Sequence, residues 1–264
     1  MLHTGCCGFP VGLSRYAREL PVAEVQKTFY RIPGTATVRR WRDSVPEEFT
    51  FTVKAWQGIT HPWGSPTYRR AGTVFSDRER GRLGHFQPSE PVFRGWEGSR
   101  EAAAILRSPV VLLQAPPSFR QSPEHEGNLR AFFSGIDRRD IRIALELRAP
   151  WDRERIAALS REFDLIHCVD PFREVPVTGP PCYLRLHGSP PGLRPVGSPL
   201  GIRPPGSPPG NRMYAYRYTR ADLLGLRDRI KAWGREAEIY CLFNNLSMWE
   251  DARAFRDLTA TSPQ

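Results

Sequence analysis

Eleven polar side chains give this sequence its chemistry: Glu24, Gln26, Lys54, Gln114, Glu146, Arg148, Asp170, Arg185, His187, Asn244 and Asn245. Glu146 and Asp170 are candidates for a general acid and base, because burial can move one carboxyl toward neutrality. With Glu24, Lys54 and His187 they form the candidate catalytic group. Gln26, Gln114, Arg148, Arg185, Asn244 and Asn245 form the candidate substrate-binding group. Arg148, Arg185 and Lys54 suit a phosphate or carboxylate, the arginines with bidentate geometry. A desolvated Lys54 would suit imine chemistry, whereas nearby carboxylates would keep it charged. His187 could act as base, phosphate contact or metal ligand. A divalent metal on Glu24, Glu146, Asp170 and His187 is conceivable, but no local spacing supports one, and no metal ligand or cofactor is assigned.

These residues share a position in their local patterns. The stretch 141–148 alternates strictly, with Ile141, Ile143, Leu145 and Leu147 on one face and Arg142, Ala144, Glu146 and Arg148 on the other. Residues 49–55 set Thr50, Thr52 and Lys54 opposite Phe49, Phe51 and Val53, and 182–187 set Tyr183, Arg185 and His187 together. Further strands are predicted at 2–6, 22–27, 110–114, 164–170 and 238–243. Helices are predicted at 14–20, 35–41, 99–107, 124–133, 151–162, 219–233 and 249–258. Thr35 and Thr219 are expected as N-caps, and Gly234 as a helix stop. Eight strands alternating with helices predict a single-domain α/β protein, a TIM-type (β/α)8 barrel over 1–264, with a doubly wound open sheet as runner-up. In such a barrel the strand C-termini converge on one face, and polar residues from seven strands meet there. A second reading holds that some of them fill the barrel as paired, hydrogen-bonded charges.

Composition narrows the partners. The 264 residues carry a net charge of +10, which favours a phosphorylated small molecule or nucleic acid. Almost all of this charge is arginine. Lysine occurs only at 27, 54 and 231, so a retained lysine at a strand end, Lys27 or Lys54, is expected to be needed as lysine. No stretch approaches the ~20 apolar residues of a membrane span, and no apolar signal segment follows Met1, so a cytoplasmic protein is expected. Five cysteines without CxxC spacing argue against a disulfide framework or a cysteine metal site. Cys6-Cys7 reads as a weak nucleophile candidate or as small buried thiols.

Two segments stand apart. Residues 61–99 form a long excursion after the third strand, rich in Gly, Pro, Arg and aromatics, which could lid a site through Trp63, Tyr68, Arg69 and Arg70. Residues 188–210 repeat Gly-Ser-Pro and Pro-Gly and are expected to form an extended loop after the seventh strand.

The strand-end motifs also occur together in a known order. Gly5-Cys-Cys-Gly8, Glu24-Val-Gln-Lys-Thr-Phe-Tyr30, Phe51-Thr-Val-Lys-Ala55 with Ile59-Thr-His61, and Gln114-Ala-Pro-Pro-Ser-Phe119 come first. Glu146-Leu-Arg148, Val169-Asp-Pro171, Tyr183-Leu-Arg-Leu-His-Gly188 and Phe243-Asn-Asn245 follow. Over nearly its whole length the chain resembles the DUF72 (YecE-like) family. The resemblance implies a TIM-type barrel, with Glu24, Lys54, Gln114, Glu146, Asp170, Arg185, His187 and Asn244 at the family's recurrent polar positions. Gln26, where many members carry asparagine, and Cys7, where serine is common, depart from the pattern. The resemblance implies no reaction.

Three functions fit these residues. The leading one is a hydrolase acting on phosphoester groups, or a nucleic-acid-binding enzyme. The second is a lyase or isomerase of sugar phosphates using Lys54 or the Glu146/Asp170 pair. The third is a non-enzymatic protein that binds an anion or nucleic acid. Oligomeric state is not legible in the sequence.

Overall fold

A computed structural model describes residues 1–72, 75–188, 214–233 and 237–260. Its centre is one parallel sheet of eight strands: β1 (Leu2–Cys7), β2 (Val22–Val25), β3 (Thr50–Lys54), β4 (Val110–Ala115), β5 (Arg142–Leu147), β6 (Leu165–His167), β7 (Cys182–Leu186) and β8 (Ile239–Phe243). The spatial order is β6-β5-β4-β3-β2-β1-β8-β7, so neighbours in sequence are neighbours in space, and β8 returns to β1. The ring closes between β6 and β7 at a single bridge, Val169 to Leu184. There the Arg185 amide donates to the Val169 carbonyl at 2.9 Å. The predicted barrel is present, and this seam is its thinnest part. The predicted strand 164–170 shortens to Leu165–His167 in the ladder; beyond it the Cys168 amide still donates to the Leu145 carbonyl at 2.9 Å, and Val169 turns to the bridge with Leu184.

The period-two pattern sorts two apolar cores. Phe51, Val53, Leu113, Ile143, Leu145, Leu184 and Cys241 point outward and pack under the helices. Val22, Val110, Leu112, Ala144, Ile166, Tyr183, Tyr240 and Leu242 fill the barrel. Parallel strands buried on both sides need apolar contacts on both faces. The inward face therefore turns polar only near the strand ends.

The helices are α1 (Leu13–Ala17), α2 (Lys27–Tyr30), α3 (Thr35–Asp43), α4 (Gln57–Thr60), α5 (Asp77–Arg80), α6 (Glu90–Leu106), α7 (Pro123–Gly135), α8 (Arg153–Glu162), α9 (Arg220–Lys231) and α10 (Met248–Ala260). Thr219 caps α9 as expected, accepting from the Asp222 amide at 3.2 Å while the Asp222 carboxylate accepts from the Thr219 amide at 2.8 Å. Thr35 does not cap α3. It is the first helical residue, behind a Gly34 cap. Helix α6 starts nine residues before the predicted Ser99. Gly95 and Gly98 suggest a loop in the sequence, but here they make room for Trp56 and Ile32, against which a Cβ would collide. Pro91 is tolerated because it sits in the first turn.

The excursion after β3 is therefore not one long loop. It begins just past α4 and contains a 3-10 turn (Pro66–Arg70), α5 and the start of α6. Tyr68, Ala71, Phe75 and Leu83 form a small core of their own against Trp56. Of the segment 188–210 only Gly188 lies within the described residues, and Gly234 lies outside them. Among the described residues no helix is long and apolar enough to cross a membrane.

Candidate functional site

Parity and strand length carry the polar residues to one end of the barrel. Glu24 of β2, Thr52 and Lys54 of β3, Glu146 of β5 and Arg185 of β7 all point inward near their strand ends. The lower layer is closed, and both terminal nitrogens of Arg185 are paired, while its Nε has no partner among the described residues. The Arg185 guanidinium lies between two carboxylates, 2.9 Å from Glu24 Oε1 and 2.6 Å from Glu146 Oε2. The Tyr183 hydroxyl donates to Glu24 Oε2 at 2.8 Å and lies 2.7 Å from Thr52 Oγ1. The Gln26 amide also donates to Glu24. Gln26 does so from the position before α2, not from the β2 face expected for it. Arg185 and Glu24 are 1% and 0% exposed. Arg185 thus occupies the place where a cation bridging Glu24 and Glu146 would sit.

Glu146 joins this layer to the one above. Its Oε1 lies 2.6 Å from Arg148 Nε and 3.2 Å from His187 Nε2. Burial alone would raise the Glu146 carboxyl, but Arg148, Arg185 and His187 together hold it well below the usual carboxylate range. His187 is pushed down to about 3, by burial first and then by Arg148, and is neutral at ordinary pH. Its Nδ1 lies 3.0 Å from Asn244 Nδ2, a donor, so the ring proton belongs on Nε2, facing Glu146. Arg148 Nη2 is 3.0 Å from Nε2 and 3.4 Å from Nδ1. That near-equality places the guanidinium over the ring face, not in line with either nitrogen.

Lys54 forms the opposite wall. Nζ donates to Gln114 Oε1 at 2.6 Å and stands 3.8 Å above the Phe29 ring. Burial, and after it the Arg185 charge, lower the ammonium to about 7 against the pull of Glu24 and Glu146. Gln26, Gln114, Arg148 and Asn244 are half-buried at the rim, whereas Lys54 and His187 are buried beneath it.

Two candidates serve the scaffold. Asp170 accepts the Phe172 amide at 3.0 Å and the His187 amide at 3.1 Å, pinning the β6 end to the end of β7. Burial raises its carboxyl despite Arg173. Asn245 turns away from the mouth and donates to Asp251 at 2.6 Å and to the Tyr216 carbonyl at 2.7 Å. Of the adjacent asparagines only Asn244 reaches His187.

The other singled-out residues divide similarly. Lys27 opens α2 on the surface, 5.8 Å from the Trp41 ring, and does not end a strand. Trp63 packs on Tyr68 and Phe75 with ring centroids 5.0 and 5.5 Å apart. Among the described residues Arg70 reaches toward Tyr30. All five cysteines are free and buried. Burial raises the Cys7 and Cys168 thiols far above their ordinary range, so Cys7 is poorly suited to act as a nucleophile. Among the described residues no three His, Cys, Asp or Glu side chains gather so as to hold a metal ion. Sequence reasoning missed Thr52, Tyr183 and Phe29, and it missed His61. The first two were signalled by strand parity. Phe29 and His61 lie within the quoted motifs but on no strand face, because short helices carry them into place.

A family model described as "Protein of unknown function DUF72" matches residues 9–263. The chain belongs to the DUF72 family. Its similarity to the UPF0759 protein YunF of Bacillus subtilis (strain 168) is 25% identity over 248 residues, covering 89% of this chain and 80% of that protein. The crystal structure of a DUF72 family protein from Enterococcus faecalis V583 superposes with a TM-score of 0.71 at 20% identity, covering 99% of this chain and 98% of that one. A DUF72 family protein of Thermotoga maritima MSB8 gives 0.66 at 20% identity, covering 98% and 99%. These likenesses establish the barrel for this DUF72 chain.

Proposed function

We propose that the barrel mouth binds and converts a small anionic carbonyl compound, a sugar phosphate or a carboxylate of similar size, with Lys54 as its reactive group. The carrying observation is a buried lysine at a strand end, lowered to about 7, in the same mouth as the half-buried Arg148. A lysine that releases its proton near neutrality supplies a free amine for attack on a carbonyl, or a base for a proton beside one. Arg148 and the rim amides Gln26, Gln114 and Asn244 supply donors for the anionic part.

Phosphoester hydrolysis on Glu146 and Asp170 has less support from this geometry. Glu146 is held ionised by three partners, and Asp170 spends both oxygens on main-chain amides. The +10 charge still favours polyanions, but it lies largely on surface arginines outside the mouth.

In the imine route the neutral Lys54 amine adds to the carbonyl carbon, and the carbonyl oxygen leaves as water. Borohydride then reduces the iminium to a stable secondary amine. Dihydroxyacetone phosphate and glycolaldehyde phosphate, a small ketone and a small aldehyde carrying phosphate, are suitable probes, with peptide mass spectrometry as the readout. The expected result is an adduct on Lys54 and none on Lys27 or Lys231, lost in Lys54→Met. Equal labelling of all three lysines would overturn the proposal. So would phosphate binding that survives Lys54→Met without turnover, which would mark a non-enzymatic anion-binding protein.

A further inference from the structure

His61 lies just past α4 and is 6% exposed. An unusual amount of structure fixes it. Its amide donates to the Gln57 carbonyl at 2.7 Å, and its carbonyl accepts the Tyr68 hydroxyl at 2.9 Å. Residues 84–86 then zip onto the end of α4. The Gly84, His85 and Phe86 amides donate to the carbonyls of Gly58, Thr60 and Ile59 at 2.7, 3.0 and 2.9 Å. This needs three successive left-handed residues, with φ of +82°, +51° and +54°. Two of them carry side chains, for which that conformation is unfavourable. Gly84 approaches so closely that a Cβ there would strike the His61 carbonyl.

The imidazole this holds has one committed nitrogen and one open one. Nδ1 lies 2.7 Å from Thr60 Oγ1, and among the described residues Nε2 has no partner. The ring meets the Phe29 ring edge-on at 5.0 Å, and the face of Phe29 carries Lys54 Nζ. His61 and Lys54 therefore share one wall of the mouth. Burial, then the charges of Lys54, His85 and Arg148, lower His61 to about 3, so it is neutral there. The Thr60 hydroxyl has no other partner among the described residues and can donate its proton to Nδ1, which leaves the ring proton on Nε2.

We infer that His61 is a further ligand-contacting residue of the mouth, held by Thr60 as the Nε2–H tautomer so that Nε2 donates to an oxygen of the anion bound beside Lys54 and Arg148. This inference rests on reading the mouth as the ligand site. It adds a neutral donor that holds the ligand oxygen without taking a proton.

The test is 15N NMR of the histidine side chains in the whole protein, free and then titrated with inorganic phosphate and with dihydroxyacetone phosphate. The expected spectrum shows His61 as Nε2–H, without protonation between pH 8 and 5, and with Nε2 moving as either probe binds. Thr60→Val is expected to give mixed tautomers and to weaken probe binding about threefold to tenfold, the worth of one hydrogen bond. His61→Gln, which keeps a donor, is expected to retain more binding than His61→Leu. An Nδ1–H tautomer, or protonation in the ordinary histidine range, would overturn the inference. So would a probe whose binding is lost in Lys54→Met and that leaves His61 unmoved as it binds to the whole protein. Failure to trap Lys54 while His61 still responds to phosphate would overturn the imine chemistry and uphold His61. No response of either residue to either probe would overturn both.

Discussion

The two ends of this barrel use the same chemistry in different surroundings. At the N-terminal end Arg142 pairs with Glu238 at 2.8 Å, and the Tyr240 hydroxyl donates to Glu238 at 2.7 Å. At the C-terminal end Arg185 pairs with Glu24 and Glu146, and the Tyr183 hydroxyl donates to Glu24. Both clusters are an arginine, carboxylate and tyrosine drawn from inward-facing positions. The Arg142–Glu238 pair is 35% exposed on both sides, whereas Arg185 is 1% exposed. Water screens the first, and the second has only its partners. The upper cluster is consequently a rigid floor. It sets the electrostatic conditions for Lys54 and His187 above it, without being the reactive part itself.

The largest expected effect follows from this difference. Glu146→Gln would leave Arg185 and Arg148 short of a counter-charge in a buried setting, and we expect it to destabilise the protein by about 3–5 kcal/mol in chemical denaturation. The matching change at the open end, Glu238→Gln, should cost about 0–1 kcal/mol, as for an exposed pair. Comparable losses at both ends would show that the two clusters are not distinguished by burial.

A smaller, pH-dependent effect belongs to Lys54. Its folded value of about 7 lies below the ordinary 10.5. Between those values the unfolded chain holds a proton that the folded protein has released, so this group makes stability rise with pH. Below pH 7 the folded protein carries the full cost of the buried charge, and that cost fades as pH climbs toward 10.5. Lys54→Met removes the charge. The variant should therefore melt higher than the wild type near pH 6, relative to their difference at pH 10. A gap that stays constant across that range would mean Lys54 is not desolvated as described.

Much of this was legible in the sequence where side-chain parity decides the answer. The alternation in 141–148, 49–55 and 182–187 put Glu146, Lys54, Arg185 and His187 on the inward face, and the motif order indicated the barrel. Parity could not separate Arg142 from Arg185, because the difference is depth along the barrel axis. It could not separate Asn244 from Asn245 either, since the chain leaves the strand there and Asp251 of α10 captures the second amide. Gly95 and Gly98 hid the first half of α6 because their purpose is a contact with Trp56 and Ile32, both remote in sequence. His61 was invisible as a site residue for the same reason. Its position depends on α4, on Tyr68 and on the left-handed segment 84–86.

The account's central claim is that Lys54, above a buried ionic floor, is the group that changes protonation near neutrality. With three lysines in the chain, 13C-lysine labelling gives three side-chain resonances to titrate, and Lys54→Met assigns the one that matters. The account predicts one midpoint near pH 7 and two in the ordinary lysine range. Three coincident midpoints near 10.5 would contradict it.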